Sequence, residues 1–174
     1  MGSKNTKLQN ASLYGQVHEI GKLIRSGTHI DTEFPTTDCA TSPTYSKKYV
    51  VCRGIHIAAR HGNEQALRTY LDLGAEVDGR NGVGDSPLML AARYNHLRCV
   101  YLLLIADADI SIRNFEGKSA MDVALDYDCC EVVKALRGER TEIQPDTESL
   151  HLQSIGVFSI SSDHIRSFFT SGFV

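Results

Sequence analysis

The chain has 174 residues, 42% of them apolar and 22% charged, with a net charge of −3. That composition supports a packed core and excludes wholesale disorder, and the acidic balance excludes a nucleic-acid binder that works by neutralising phosphates. No apolar run approaches the roughly 18 residues of a membrane span, and the opening MGSKNTKLQN lacks the apolar stretch of a secretory leader.

In chain order, Met1-Gly2-Ser3-Lys4-Asn5-Thr6 fits M-G-x-x-x-[ST], which makes Gly2 a candidate acceptor for a myristoyl chain. One such chain anchors only marginally, and Lys4 and Lys7 are a thin basic patch. Thr6 competes for another role, as the cap of a first helix. Apolar residues at helical spacing then mark an outer helix at Ile20, Leu23 and Ile24, ended by Gly27. Residues 33–50, with Pro35, Pro43 and several Thr and Ser, read as a long loop, either a bland insertion or an extra contact arm. Arg53-Gly54 opens the next helix with a weak cap, and Leu67, Tyr70 and Leu71 mark its outer partner, ended by Gly74.

Arg80-Asn81-Gly82-Val83-Gly84 is a tight turn. Ser86 caps a third inner helix and Pro87 takes its first position, where the missing N–H costs nothing. Val100, Leu103 and Leu104 form the outer stripe, and Asp107 stands where Gly27 and Gly74 ended theirs. A second turn, Arg113-Asn114-Phe115-Glu116-Gly117, leads to Ser119 and a fourth inner helix. Its outer partner carries Val133 and Leu136, but Arg137 falls where Ile24, Leu71 and Leu104 stood, which suits a terminal unit.

These segments are copies of one unit. Gly62, Asn95 and Asp128 are 33 residues apart, as are Gly84 and Gly117, and Leu67, Val100 and Val133. Thr6–Gly15 matches the same template upstream, with 14 residues inserted before the next copy. The pattern resembles the ankyrin repeat, most clearly in Ser86-Pro87-Leu88-Met89-Leu90-Ala91-Ala92 and Leu71-Asp72-Leu73-Gly74-Ala75-Glu76-Val77-Asp78. The resemblance implies an all-α solenoid of stacked helix-turn-helix units with short β-turn fingers. Its repeats fall at about 6–32, 51–80, 84–113 and 117–137 within an array of residues 1–137, with the insertion at 33–50. Small Ala58-Ala59 and Ala91-Ala92 then let neighbouring inner helices approach closely.

Residues 138–174 form a linker and a C-terminal tail. Leu150-His151-Leu152-Gln153-Ser154-Ile155-Gly156-Val157-Phe158-Ser159-Ile160 is apolar and β-rich, and Ser162–Phe169 allows a capped helical turn. A degenerate cap on the fourth repeat is expected. The alternative is a partner-binding tail anchored by Phe168, Phe169, Phe173 and Val174.

No nucleophile elbow, metalloprotease helix, phosphate-cradling loop or dinucleotide fingerprint is present, so no enzyme, metal or cofactor is expected. Cys39, Cys52, Cys99, Cys129 and Cys130 show no C-x-x-C spacing and read as free, buried, small apolar residues of a reduced protein. The expected place is the cytoplasm or nucleus, with the membrane periphery added only by acylation of Gly2.

The resemblance also implies a function, binding a partner protein through the concave face of fingers and inner helices. Carried over position by position, that face holds Arg60, His61, Val83, Asp85, Arg93 and Tyr94, together with Phe115, Glu116, Lys118, Asp126 and Tyr127. Tyr94, Phe115, Arg93 and Tyr127 are the expected anchors, because aromatic and Arg side chains dominate binding energy. A monomer with one protein partner and no nucleic acid is expected. A small inhibitor of a kinase or transcription factor and an acylated membrane scaffold are the alternative functions.

Overall fold

A computed structural model describes residues 3–36 and 50–139. Gly2, Cys39 and the tail from residue 140 lie outside the described residues. Four helix pairs succeed one another: α1 (Lys4–Leu13) with α2 (Val17–Arg25), α3 (Gly54–Arg60) with α4 (Glu64–Asp72), α5 (Pro87–Arg93) with α6 (Leu97–Ile105), and α7 (Ala120–Asp126) with α8 (Cys130–Leu136). The first helices of the pairs stack side by side, and so do the second helices, giving an inner and an outer row. The architecture is an all-α solenoid, as the repeat implied.

Each pair turns on one left-handed residue. Gly15 (φ 66°), Gly62 (67°), Asn95 (57°) and Asp128 (54°) occupy the same position of successive units. Glycine adopts this backbone freely, and Asn and Asp are the side chains that tolerate it best. Outer helices end the same way, at Gly27 (φ 95°), Gly74 (81°) and Asp107 (60°). In the last unit the left-handed residue is Gly138 (φ 70°), two residues ahead of the repeat's step. α8 therefore has seven residues where α2, α4 and α6 have nine.

The caps are set by nearby side chains. Ser86 Oγ accepts from the Met89 N–H at 3.3 Å, with Pro87 in the first turn. Ser119 and Asp122 cap each other, Ser119 Oγ accepting from the Asp122 N–H and Asp122 Oδ2 accepting from the Ser119 N–H at 2.9 Å. The first helix departs from expectation: Ser3, not Thr6, is its cap, and Ser3 Oγ accepts from the Thr6 N–H at 3.3 Å. A serine three residues upstream moves Thr6 into the first turn as the donor.

Arg53 gives α3 no side-chain cap, as its residue type suggested. Gly54 has a different purpose. A Cβ there would lie 2.1 Å from the Tyr70 hydroxyl. Tyr70 uses that space to reach from the outer row to α1, where its O–H donates to Ser12 Oγ at 2.6 Å while Ser12 donates to the Leu8 carbonyl at 2.7 Å. Burial pushes the Tyr70 phenol up to about 12.

The insertion is not a plain loop. Its ends pair as an antiparallel ribbon of β1 (Glu33–Thr36) and β2 (Val50–Arg53), in the register Glu33 opposite Arg53 and Phe34 opposite Cys52. Phe34, Val50 and Cys52 are buried while Glu33 and Val51 face solvent, the alternation that a half-buried ribbon requires. Pro35 sits on β1, which pairs only with β2 among the described residues, a strand position where a missing ladder donor is tolerated. Two prolines and polar residues obscured these short apolar ends. Cys130 also departs from expectation. It is exposed, whereas Cys52, Cys99 and Cys129 are buried free thiols.

His56 ties the second unit to its finger. Its Nδ1 accepts from the Arg53 N–H at 3.3 Å, and its Nε2–H donates to the Gly79 carbonyl at 2.8 Å. Burial lowers its pKa from 6.5 to about 4. Well above pH 6.5 neither folded nor unfolded chain protonates this residue. As the pH falls from there, the unfolded chain takes up a proton that the folded one refuses, so stability drops. The expected loss is about 2 kcal/mol from this residue between pH 6.5 and about pH 5. Urea unfolding across that range, compared with His56→Gln, checks it; equal pH slopes for the two proteins contradict it.

Candidate functional site

Adjacent units are stapled at one recurring place. The residue before each later outer helix donates its side chain to the end of the preceding inner helix. Asn63 Nδ2 donates to the Leu13 carbonyl at 2.7 Å, His96 Nε2 to the Arg60 carbonyl at 2.8 Å, and the Cys129 thiol, more weakly, to the Arg93 carbonyl at 3.9 Å. These bonds satisfy carbonyls that a helix end leaves free. They also fix the next residue along the chain, the helix C-cap.

The stapled C-caps are Tyr14, His61 and Tyr94, and with Tyr127, the C-cap of the last inner helix, they place an aromatic or imidazole ring in every unit. All four are exposed, Tyr14 at 70% and Tyr127 at 49%. Guanidinium groups of the preceding unit hold two of the rings. Arg60 lies over Tyr94 at 5.0 Å from its centroid, and Arg93 lies over Tyr127 at 5.2 Å. Tyr94 also stacks on His96, with centroids 6.4 Å apart. Tyr14 is the member of this row that family positions alone did not bring out, and its signal is that it precedes Gly15 as Tyr94 precedes Asn95.

The fingers are built by asparagine. Asn81 Oδ1 accepts from the N–H groups of Val83 and Asp85 at 3.0 and 2.8 Å, and Asn114 Oδ1 does the same for Glu116 and Lys118 at 3.0 Å each. Backbone bonds join them in a row, Gly82 N–H to the Val51 carbonyl at 2.8 Å and Phe115 N–H to the Val83 carbonyl at 3.3 Å. The β1–β2 ribbon thus stands first in a line of fingers. Phe115 projects from the last of them, 62% exposed.

Three expected contact residues are not on the surface. Val83, Asp85 and Arg93 are buried. Asp85 Oδ2 takes a 3.0 Å bond from Arg93 Nη2, Asp85 Oδ1 accepts from Asn114 Nδ2 at 2.8 Å, and Arg93 Nη1 donates to the Tyr127 hydroxyl at 3.2 Å. Asp85 and Arg93 are therefore a structural pair that ties finger, inner helix and next unit together, and the Val83 side chain is part of the apolar core. Arg60 and Lys118 are half-buried, and His61, Glu116 and Asp126 are exposed. Lys118 Nζ bridges Asp126 at 2.8 Å and Glu116 at 3.5 Å, and its bond to Asp126 raises the ammonium pKa. Exposure leaves that cluster largely screened.

Among the described residues no group of three His, Cys, Asp or Glu side chains is placed to hold a metal, and no helix is long and apolar enough to cross a membrane. What the stack presents is a preformed surface on a helical-repeat scaffold. The chain belongs to the ankyrin-repeat family: the family model described as ankyrin repeats (3 copies) matches residues 55–148, more than half of its length. Ankyrin repeats are protein–protein interaction modules. Ankyrin repeat domain-containing protein 37 from Homo sapiens is 27% identical over 129 residues, 72% of this chain and 73% of that protein. Its namesake from Bos taurus is 29% identical over 109 residues, 63% of this chain and 61% of that protein. Palmitoyltransferase Hip14 from Drosophila melanogaster is 32% identical over 114 residues, 65% of this chain but 16% of that protein. So short a share of a transferase carries no argument for transfer chemistry here.

Asp85→Ala is expected to leave the buried Arg93 guanidinium without its counter-charge, at a cost of about 3–5 kcal/mol. Urea unfolding tracked by circular dichroism measures it. A loss below about 1 kcal/mol, the size of an exposed pair, contradicts the burial argument.

Proposed function

We propose that the array docks a partner protein along the row formed by Tyr14, His61, Tyr94 and Tyr127, with Phe115 of the last finger as a second anchor. The observation that carries this reading is the repetition of an exposed ring at one position in all four units, with Arg60 and Arg93 orienting two of them. Tyr and Phe supply large contact area at small entropic cost, and Arg supplies donors in a fixed plane. The staples at Asn63, His96 and Cys129 hold Tyr14, His61 and Tyr94, and Arg93 holds Tyr127, before a partner arrives, so little ordering remains on binding.

The mechanism is complementarity on a rigid scaffold, without turnover. Arg93 contributes from below, by orienting Tyr127, while Glu116, Lys118 and Asp126 rim the face as an ion-paired cluster. Such rim charges act on association rate more than on affinity.

The test immobilises the full chain, captures proteins from a lysate of the source organism and compares it with the Tyr94→Ala, Phe115→Ala double variant. Both substituted rings are exposed, so the variant is expected to keep its helical circular dichroism and retain captured proteins at least about tenfold less. Unchanged capture by the folded variant moves the site to another face.

A further inference from the structure

Among the described residues, the inner row ends on an open face. In α1, α3 and α5, Ser12, Ala59 and Ala92 are completely buried. The equivalent residue of α7 is Leu125, which is 51% exposed. One turn earlier, Leu8, Ile55 and Leu88 are buried, while their counterpart Met121 is only partly covered. The cause is the missing neighbour. α1, α3 and α5 each have a next inner helix against them, and α7 has none among the described residues.

Leucine at this position also says what the occupant is not. Alanine and serine let consecutive inner helices approach closely, and a leucine holds a fifth regular helix away. α8 stops early at Gly138, so the outer row too leaves the repeat's step. An occupant must then be apolar, must not be another regular unit, and must be near α7.

We propose that residues 150–158 of this chain, Leu150-His151-Leu152-Gln153-Ser154-Ile155-Gly156-Val157-Phe158, cover Met121 and Leu125 and close the core. The segment is the first apolar run after α8. The polar stretch 139–149 that precedes it can span up to roughly 35 Å when extended, and one more unit lies only about 10 Å beyond α7. Its composition matches the face, with Leu150, Leu152, Ile155, Val157 and Phe158 to bury and no Asp, Glu, Lys or Arg. Attachment to the same chain gives it an effective concentration that a second molecule lacks.

The test measures amide hydrogen exchange in the full chain and in its Val157→Asp, Phe158→Asp double variant. Exchange across α7 is expected to accelerate about tenfold in the variant, while α3, two units away, keeps its rate. In a Leu125→Ala background the same tail substitutions are expected to have a smaller effect, because they then expose less shared surface. Unchanged exchange in α7, or equal acceleration in α3, overturns the proposal. So does a dimer that Leu125→Asp dissolves while the tail variant leaves α7 untouched, since a second copy is then the cover.

Discussion

The close approach of consecutive inner helices at Ser12, Ala59 and Ala92 is the constraint on which this protein depends. Helices of seven residues are too short to persist alone in water, and their stability comes from the faces they bury against each other. All three small residues are fully buried, with the larger Leu8, Ile55 and Leu88 one turn away. Small residues set the spacing and large ones fill it. Once the spacing is set, the side chains of Asn63, His96 and Cys129 come within reach of carbonyls one unit back.

The exposed surface derives from the same geometry. A ring at the C-cap of each inner helix repeats at the spacing of the helices, so four local features become one row. Fingers are held in line by Asn81, Asn114 and two backbone bonds between units, which put Phe115 and Val51 at fixed places. Asp85 and Arg93 show how the buried and exposed parts connect. Their ion pair is inside, yet the same guanidinium lies over the ring of exposed Tyr127. Membership of the ankyrin-repeat family names the architecture and the class of protein–protein interaction module, and the fold by itself names no partner.

Much of this was legible in the sequence because a repeat prints each structural requirement several times. The thirty-three-residue step, the caps at Ser86 and Ser119 and the terminators Gly27 and Gly74 all lie within a few residues of what they control. Residues with distant partners are the ones whose roles the sequence hid. Asp85 is a charge in a turn and looks solvated, until Asn114 and Arg93 close over it from other elements. Gly54 looks like a poor cap, and the reason for it, Tyr70, sits sixteen residues on. The ribbon of β1 and β2 escaped because its two strands are four residues each and the pairing spans the insertion. Tyr14 is a different case. The repeat template that aligns Tyr94 with Tyr127 also places Tyr14 at the same position, just before Gly15.

The substitution Ala92→Leu tests the central constraint most directly, since it places in α5 the residue that α7 carries at its open face. Unfolding of the full chain would be monitored by circular dichroism and by hydrogen exchange in α3 and α7 separately. Overpacking at this seam is expected to cost about 1–3 kcal/mol, with α7 exchanging well before α3. A single transition of unchanged stability, with α7 and α3 protected as before, would show that close approach at Ala92 does not hold the units together.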